Sequence, residues 1–387
     1  MSNPIFIARQ DTLDEKIIPA QLLNDYKLHG EYSFVFHTPE LWHKMCTHAY
    51  AANDQKVNGD ALEYVLTKAA PTGSYSLSNW MALLCDTAEQ AAQGLYAGIE
   101  TAGQLAQSSA AMAAVSNSET AMAAVSNSET AMAAVSNSET AMAAVSGSEM
   151  AMNSICSVKT ALRAFAASKH WNSTVKENDM AIAKAAVALA NSNEFSAISS
   201  CAEMAENSTA MSVLADSATA RTALMGSSYY GKYMQNDTMC IAKLVVGFAN
   251  LASAGYSSMA GVAADATAMN AVAASSTAMN AVAASSTAMN AVAASTTAMD
   301  ALYARKKQMK GGSASKSGKF IILEISASNA FDTSKYGYVT LSDGSKPDWS
   351  SYLAKYAFFQ KYPKYATYMR NDTDSDDYIY YFDITNP

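Results

Sequence analysis

The chain has 387 residues, half of them hydrophobic, with a formal net charge of −8. That balance excludes the basic face a nucleic-acid-binding protein needs, and no run of 18 apolar residues is present to form a membrane-spanning helix. Five widely spaced cysteines, Cys46, Cys85, Cys156, Cys201 and Cys240, are odd in number and read as reduced, buried thiols rather than a disulfide framework.

Residues 1–103 are non-repetitive and predict a small mixed α/β domain serving for attachment. The opening MSNPIFIARQDTLDEK has neither a basic n-region nor an apolar h-region, so no secretory signal is expected. Tyr32–Phe36 reads as a strand, Pro39–Ala52 and about 60–68 as helices, and Pro71-Thr72-Gly73 as a break. From Leu77 to Gly103 the chain becomes helical and alanine-rich. His37, His43, Cys46 and His48 have zinc-like spacing, but no second ligand pair follows. They read as the edge of one helix whose Trp42 and Met45 point inward, with no metal.

Residues 104–304 carry a fixed ten-residue period. AMAAVSNSET occurs three times verbatim from Ala111, and TAMNAVAASS recurs from Thr267 and Thr277, then as TAMNAVAAST from Thr287. A single long helix fits poorly, because ten residues at about 100° each rotate the Met/Val stripe away within two repeats. A β-solenoid fits poorly too. Met122 and Val125, three apart, would face opposite sides of a strand, and alanine is a weak strand former. One short helix per repeat remains. Met122 and Val125 then share a face, and Ser116/Glu119, Ser126/Glu129 and Ser136/Glu139 have capping-box spacing. In the second run Ser275, Ser276 and Thr277 offer cap hydroxyls without the glutamate. Such short helices are unstable alone and persist by laying their Met/Val faces on one another.

Between Met142 and Met259 lie 117 residues, not a multiple of ten, so the centre is expected to hold insertions, with Tyr229–Tyr233 as a protruding loop. Thioethers bind soft metals, but methionine at fixed helical spacing reads as core filling.

Residues 305–318, from Arg305 through Lys306, Lys307 and Lys310 to Gly318, read as a basic Gly/Ser linker. Composition then changes: residues 319–387 hold ten tyrosines and predict a small aromatic-rich α+β domain. Lys319–Ile325 and Tyr378–Ile384 are strand-like, Ser342–Ser345 is a turn, and 349–368 could hold one helix. Tyrosine and tryptophan suit binding surfaces, which makes Tyr336, Tyr338, Trp349, Tyr378 and Tyr380 the candidate binding residues. Asp372, Asp374, Asp376 and Asp383 imitate a calcium loop, but Asp377 stands where glycine is required. No phosphate loop, nucleophile elbow, zinc-protease or dinucleotide motif occurs. Asp343, Asp348 and Asp383 are the carboxylates a polysaccharide-degrading enzyme would need, yet nothing pairs them. No catalytic residue and no cofactor are expected.

The fold class expected is therefore mainly α. A repeat solenoid or rod of short helices, one per ten residues, is flanked by the two small domains. The runs SETAMAAVSN (118–127) and SSTAMNAVAA (275–284) resemble the TAMxAVAxS repeats of tailed-bacteriophage virion proteins of the tail-fibre kind. The resemblance covers the repeat region. It implies a virion component with an attachment domain, a shaft and a distal tip, commonly a homotrimer, and brings no catalytic residues. The expected role is a tail fibre, whisker or collar-type spacer. It would be assembled in the host cytoplasm and exposed on the particle, contacting other virion proteins and a host surface receptor. A bacterial surface adhesin is the alternative, and a depolymerase a weaker one.

Overall fold

The computed structural model describes residues 94–326, 336–348 and 352–387, together with Gly59, Leu62, Glu63, Leu66, Thr67, Leu77 and Met81. The expected N-terminal domain, its elements and the His37/His43/Cys46/His48 group lie outside the described residues, as do Cys46, Cys85 and Trp349. The fold is mainly helical, with a small antiparallel sheet in the C-terminal region. Two compact units divide the chain: residues 1–188 with 195–200, and residues 189–194 with 201–387.

In the first unit the ten-residue period becomes one helix per repeat. The helices are α1 (Ala102–Gln107), α2 (Ser109–Ser116), α3 (Glu119–Ser126), α4 (Glu129–Asn137), α5 (Glu139–Ser146), α6 (Glu149–Ser157) and α7 (Lys159–Ala166). A π-helical turn at Trp171–Val175 and the eleven-residue α8 (Asp179–Leu189) follow. The N-caps are Ser108, Ser118, Ser128, Ser138 and Ser148. Each hydroxyl accepts the amide hydrogen three residues on, for instance Ala121 N to Ser118 Oγ at 3.2 Å. The expected capping boxes at Ser116, Ser126 and Ser136 do not form, because these serines close the preceding helix. The glutamates instead sit in the first turn, where the helix dipole favours a carboxylate.

Each helix touches its immediate successor, but that is not its main contact. Each packs chiefly on the third one along: α1 on α4, α2 on α5, α3 on α6 and α4 on α7. Three consecutive helices, the step between packing partners, are termed a coil, and the Met and Val of each repeat are buried. Met112, Met122, Met132, Met142 and Met152 are all buried, as are Val115, Val125, Val135 and Val145. The cap serines also tie coil to coil. Ser138 Oγ donates to Ala106 O, Ser148 Oγ to Ser116 O and Ser168 Oγ to Ser136 O, each at 2.5 Å across 32 residues. One hydroxyl therefore satisfies an orphan amide of its own helix and an orphan carbonyl of the coil below. Ser128 donates to the Glu63 carboxylate at 2.6 Å instead, and that carboxylate also accepts from Thr130 N at 2.9 Å.

Replacing Ser148 with alanine removes the cap of α6 and strands the buried Ser116 carbonyl. A cap is worth about 1 kcal/mol and an unsatisfied buried acceptor about 1–3 kcal/mol. A loss of about 2–3 kcal/mol is expected in urea unfolding, and a loss under 0.5 kcal/mol would mean that water replaces the serine.

In the second unit come α9 (Cys201–Glu206), α10 (Ser208–Asp216), α11 (Ala218–Leu224), a π-helical turn at Tyr230–Met234 and the eleven-residue α12 (Thr238–Phe248). Then follow α13 (Met259–Ala264), α14 (Ala266–Ala274), α15 (Ser276–Ala284), α16 (Ser286–Ala294) and α17 (Thr296–Tyr303). The rule of three persists, with α12 on α15, α13 on α16 and α14 on α17. Ser295 Oγ donates to Ala263 O at 2.6 Å, again across 32 residues.

The central departures from the ten-residue period recur, as two copies of one module. Met152, Met211 and Met269 follow at intervals of 59 and 58 residues. Trp171 and Tyr230, Lys184 and Lys243, and Asn191 and Asn250 are each 59 apart, and both asparagines are left-handed, with φ 60° and 58°. Tyr229–Tyr233, expected to protrude, belongs to the second π-helical turn, and Tyr230 is buried at the place Trp171 holds in the first copy. Each copy encloses an ammonium. Lys184 Nζ, fully buried, donates to Asn153 Oδ1 at 2.9 Å and Phe195 O at 3.1 Å and pairs with Glu149 at 3.1 Å. Lys243 Nζ donates to Ser212 Oγ at 2.8 Å, and burial lowers its pKa against the pull of Asp216.

Cys156, Cys201 and Cys240 are buried thiols outside any disulfide, as expected for those three. Burial pushes Cys156 up to about 12, with Lys184 opposing. Its folded pKa lies above the ordinary value of 9.0. Between these two values the folded state holds the proton that the unfolded state releases. The stability Cys156 contributes is thus complete below pH 9 and lost as pH rises toward 12. At pH 8 a thiol reagent is expected to leave all three unmodified in the folded chain and label them in urea, read by peptide mapping. Labelling of Cys156 without denaturant would refute its burial.

The sheet runs β1 (Lys307–Lys310), β2 (Ala314–Ser326), β3 (Gly337–Leu341), β4 (Tyr352–Leu353), β5 (Ala366–Asn371) and β6 (Tyr378–Asp383). Its order is β1-β6-β2-β5-β3, antiparallel, with β4 pairing to β2. The expected linker at 305–318 is thus mostly strand: Lys307–Lys310 pairs with Tyr378–Tyr381, and Ala314–Ser317 with Tyr368–Asn371. Lys307 and Lys310 lie on an edge strand. Gly311 and Gly312 turn against Thr373 and Asp374, where a Cβ on Gly311 would lie 2.1 Å from Asp374 O and where Gly312 has φ +90°. The single helix expected at 349–368 shrinks to α18 (Ala357–Lys361), because Pro363 blocks its continuation.

Strand β2 divides two cores. Ile321 and Leu323, with Phe359, Phe382 and Ile384, join the interior of α12–α17. Phe320, Ile322 and Ile325 face Val339, Met369 and Ile379 on the other side. The helical core of this unit therefore runs without a break into the sheet.

Candidate binding site

The last repeat departs from its predecessors where it meets the sheet. Asp300 stands where Asn290 stood and Tyr303 where Ala293 stood. The Tyr303 hydroxyl donates to Glu324 Oε2 on β2 at 2.6 Å. Its ring meets Tyr356 edge-on at 5.8 Å and Tyr380 at 6.1 Å. Two ammonium groups share these rings. Lys306 Nζ lies 4.0 Å from the Tyr303 centroid and 5.2 Å from that of Tyr380, and Lys355 Nζ lies 4.3 Å from Tyr303 and 4.5 Å from Tyr356. Asp300 holds Lys355 at 3.0 Å and accepts from the Tyr356 hydroxyl. Lys306, Lys355 and Asp300 are exposed, whereas Tyr303, Tyr378 and Tyr380 are half-buried.

The tyrosines are kept neutral. Burial raises the Tyr303 phenol, helped by its bond to Glu324, and burial together with Tyr378 raises that of Tyr380. The Tyr356 and Lys355 bonds hold the Asp300 carboxyl below its ordinary value. The result is an aromatic surface carrying two lysines at its rim, with polar tips and flat apolar faces that suit recognition rather than proton transfer.

Of the residues chosen from sequence, Tyr378 and Tyr380 belong to this surface, with ring centroids 4.5 Å apart. Tyr338 does not. It lies on the edge strand β3, with β2 and β5 intervening, beside Tyr368 at 5.5 Å and under Lys346 at 4.2 Å. The Tyr336 carbonyl accepts Asp372 N at 3.1 Å, which ties it to the end of β5 instead. Sequence reasoning missed Tyr303, Tyr356, Lys306 and Lys355, although the broken repeat at 300–303 was a visible signal.

Two of the three carboxylates considered for hydrolysis form ion pairs. Asp343 pairs with Lys364, and Asp383 pairs with Lys307 at 3.5 Å and Lys316 at 3.8 Å. In the calcium-like stretch Asp372 pairs with Arg370 at 2.6 Å, and strand β6 (Tyr378–Asp383) takes up the second half of what would be the loop. No helix among the described residues is long and apolar enough to cross a membrane. Compared with protein-family models and with curated proteins, the chain matches none.

Proposed function

We propose that the chain is a structural component of a bacteriophage virion, of the tail-fibre, whisker or collar type. In this reading the stacked helices form a continuous solenoid that serves as a spacer. The N-terminal region attaches to other virion proteins, and the C-terminal sheet presents the Tyr303/Lys306/Lys355/Tyr380 surface to a host receptor or a neighbouring virion protein. The chain acts as a homotrimer and performs no catalysis. The observation that carries the reading is the use of near-identical decapeptides, each a capped helix, several of them bonded by the cap serine across 32 residues. Such an arrangement supplies length rather than a reaction centre. The TAMxAVAxS resemblance gives the setting.

Light scattering coupled to size exclusion, with circular dichroism on the same peak, tests the architecture. A strongly helical species of three times 40.9 kDa is expected, and a β-rich spectrum would overturn the spacer. Antibodies raised against residues 319–387 are expected to decorate tails or collars of purified virions. Absence of the chain from washed particles by mass spectrometry would overturn the virion assignment.

A further inference from the structure

Residues 275–284 and 285–294 are identical, and each forms the same capped helix in the same stack. Because a helix packs on the third one along, each decapeptide advances the chain by one third of a coil. The two helices that an added copy would bring into play as partners, α14 and α15, are chemically alike, differing only in Ala266 against Ser276. A further copy of SSTAMNAVAA placed after Ala294 would leave each local junction unchanged, since Ala294 already precedes Ser295 as Ala284 precedes Ser285. The new helix would pack on α14, and α17 on α15. The inserted cap serine would meet Ala263 O, where Ser295 now donates, and Ser295 would meet Ala273 O.

The sheet would find its seat as well. Lys319 Nζ now donates to Asn280 Oδ1 at 2.9 Å, two helices before the last. After the insertion α16 occupies that place, and Asn290 stands there in the same repeat position. Met289 and Val292 likewise replace Met279 and Val282 beneath the sheet.

We infer that the decapeptide, not the three-helix coil, is the unit in which this stack is counted. It follows that the number of decapeptides sets the direction in which the Tyr303/Lys306/Lys355/Tyr380 surface faces. Each added copy turns that surface by one third of a coil relative to α12, and three copies restore its direction one coil further on. This holds whatever the surface binds.

The test inserts one, two or three copies after Ala294 of the full chain, with a seven-residue insertion, SSTAMNA, as the out-of-register control. All three whole-copy variants are expected to unfold cooperatively within a few degrees of the parent Tm, and the control to lose the transition. A variant pair reports direction. A short bismaleimide is expected to join Asn280→Cys to Lys319→Cys in the parent. In the one-copy chain it should join Asn290→Cys to Lys319→Cys, with the 280 pair no longer reacting. Tolerance of three copies but not of one or two would overturn the inference, because the coil would then be the unit. A cross-link that stays at position 280 in the one-copy chain would overturn it too, because the extra copy would then be looped out.

Discussion

Lys184→Ala is expected to destabilise the chain by about 3–5 kcal/mol, from two stranded hydrogen-bonding groups at about 1–3 kcal/mol each and the cavity the side chain leaves. The ammonium is fully buried and uses its three hydrogens on Asn153, Phe195 O and Glu149. Alanine removes all three and leaves a cavity as well. Glu149 is largely exposed and returns to water, so the cost falls on the Asn153 amide and the Phe195 carbonyl. Lys184→Met keeps most of the volume and loses the hydrogen bonds alone, and about half the loss is expected. Urea titration of both variants decides the matter. Equal losses would assign the effect to side-chain packing at position 184. Negligible loss in the methionine variant would show that the buried polar bonds contribute little.

Met142→Ala is the second large effect, about 2–5 kcal/mol for emptying a fully buried methionine site. Its helix, α5, packs on both α2 and the π-helical turn at Trp171–Val175, so two coil interfaces weaken together. In a stack stabilised by nearest-neighbour contacts such a weak point uncouples the parts on either side. The unfolding transition is therefore expected to broaden as its midpoint falls. Met150→Ala is the control. Met150 takes the place that threonine has in earlier repeats and is 38% exposed, so a change within about 0.5 kcal/mol is expected. A sharp, shifted transition in Met142→Ala would argue that the stack unfolds as one body.

The helices, their periodicity and their Met/Val core were legible because every repeat restates the same pattern. The partner of each helix was not. Identical sequences match equally well at any multiple of ten, and the 32-residue serine bridges have no signature beyond the cap serine itself. The capping residue was misplaced because both Ser116 and Ser118 precede Glu119, and Asn117 closes the earlier helix between them. The two central modules were readable in principle. Asn178-Asp179-Met180 and Ile182-Ala183-Lys184 return as Asn236-Asp237, Met239 and Ile241-Ala242-Lys243. A lysine in an apolar helix, met twice at one position, points to a buried ammonium. Composition hid the start of the sheet, because Lys307–Lys310 looks solvated and is an edge strand. At the site, Tyr378 and Tyr380 were chosen on aromatic content. Their companions come from distant segments that only the sheet brings together.

The continuity between the helical interior of the second unit and one face of β2 and β6 has a consequence for solubility. A stack of this kind is unfinished at any bare end, where Met and Val faces and unbonded carbonyls match those of another molecule's bare end. Head-to-tail contacts of that sort do not close on themselves and lead to filaments. Ile321, Leu323, Phe382 and Ile384 occupy that end, so the sheet acts as a stopper against polymerisation. A chain ending at Ala304 is expected to scatter light increasingly with concentration, whereas the full chain keeps a fixed mass.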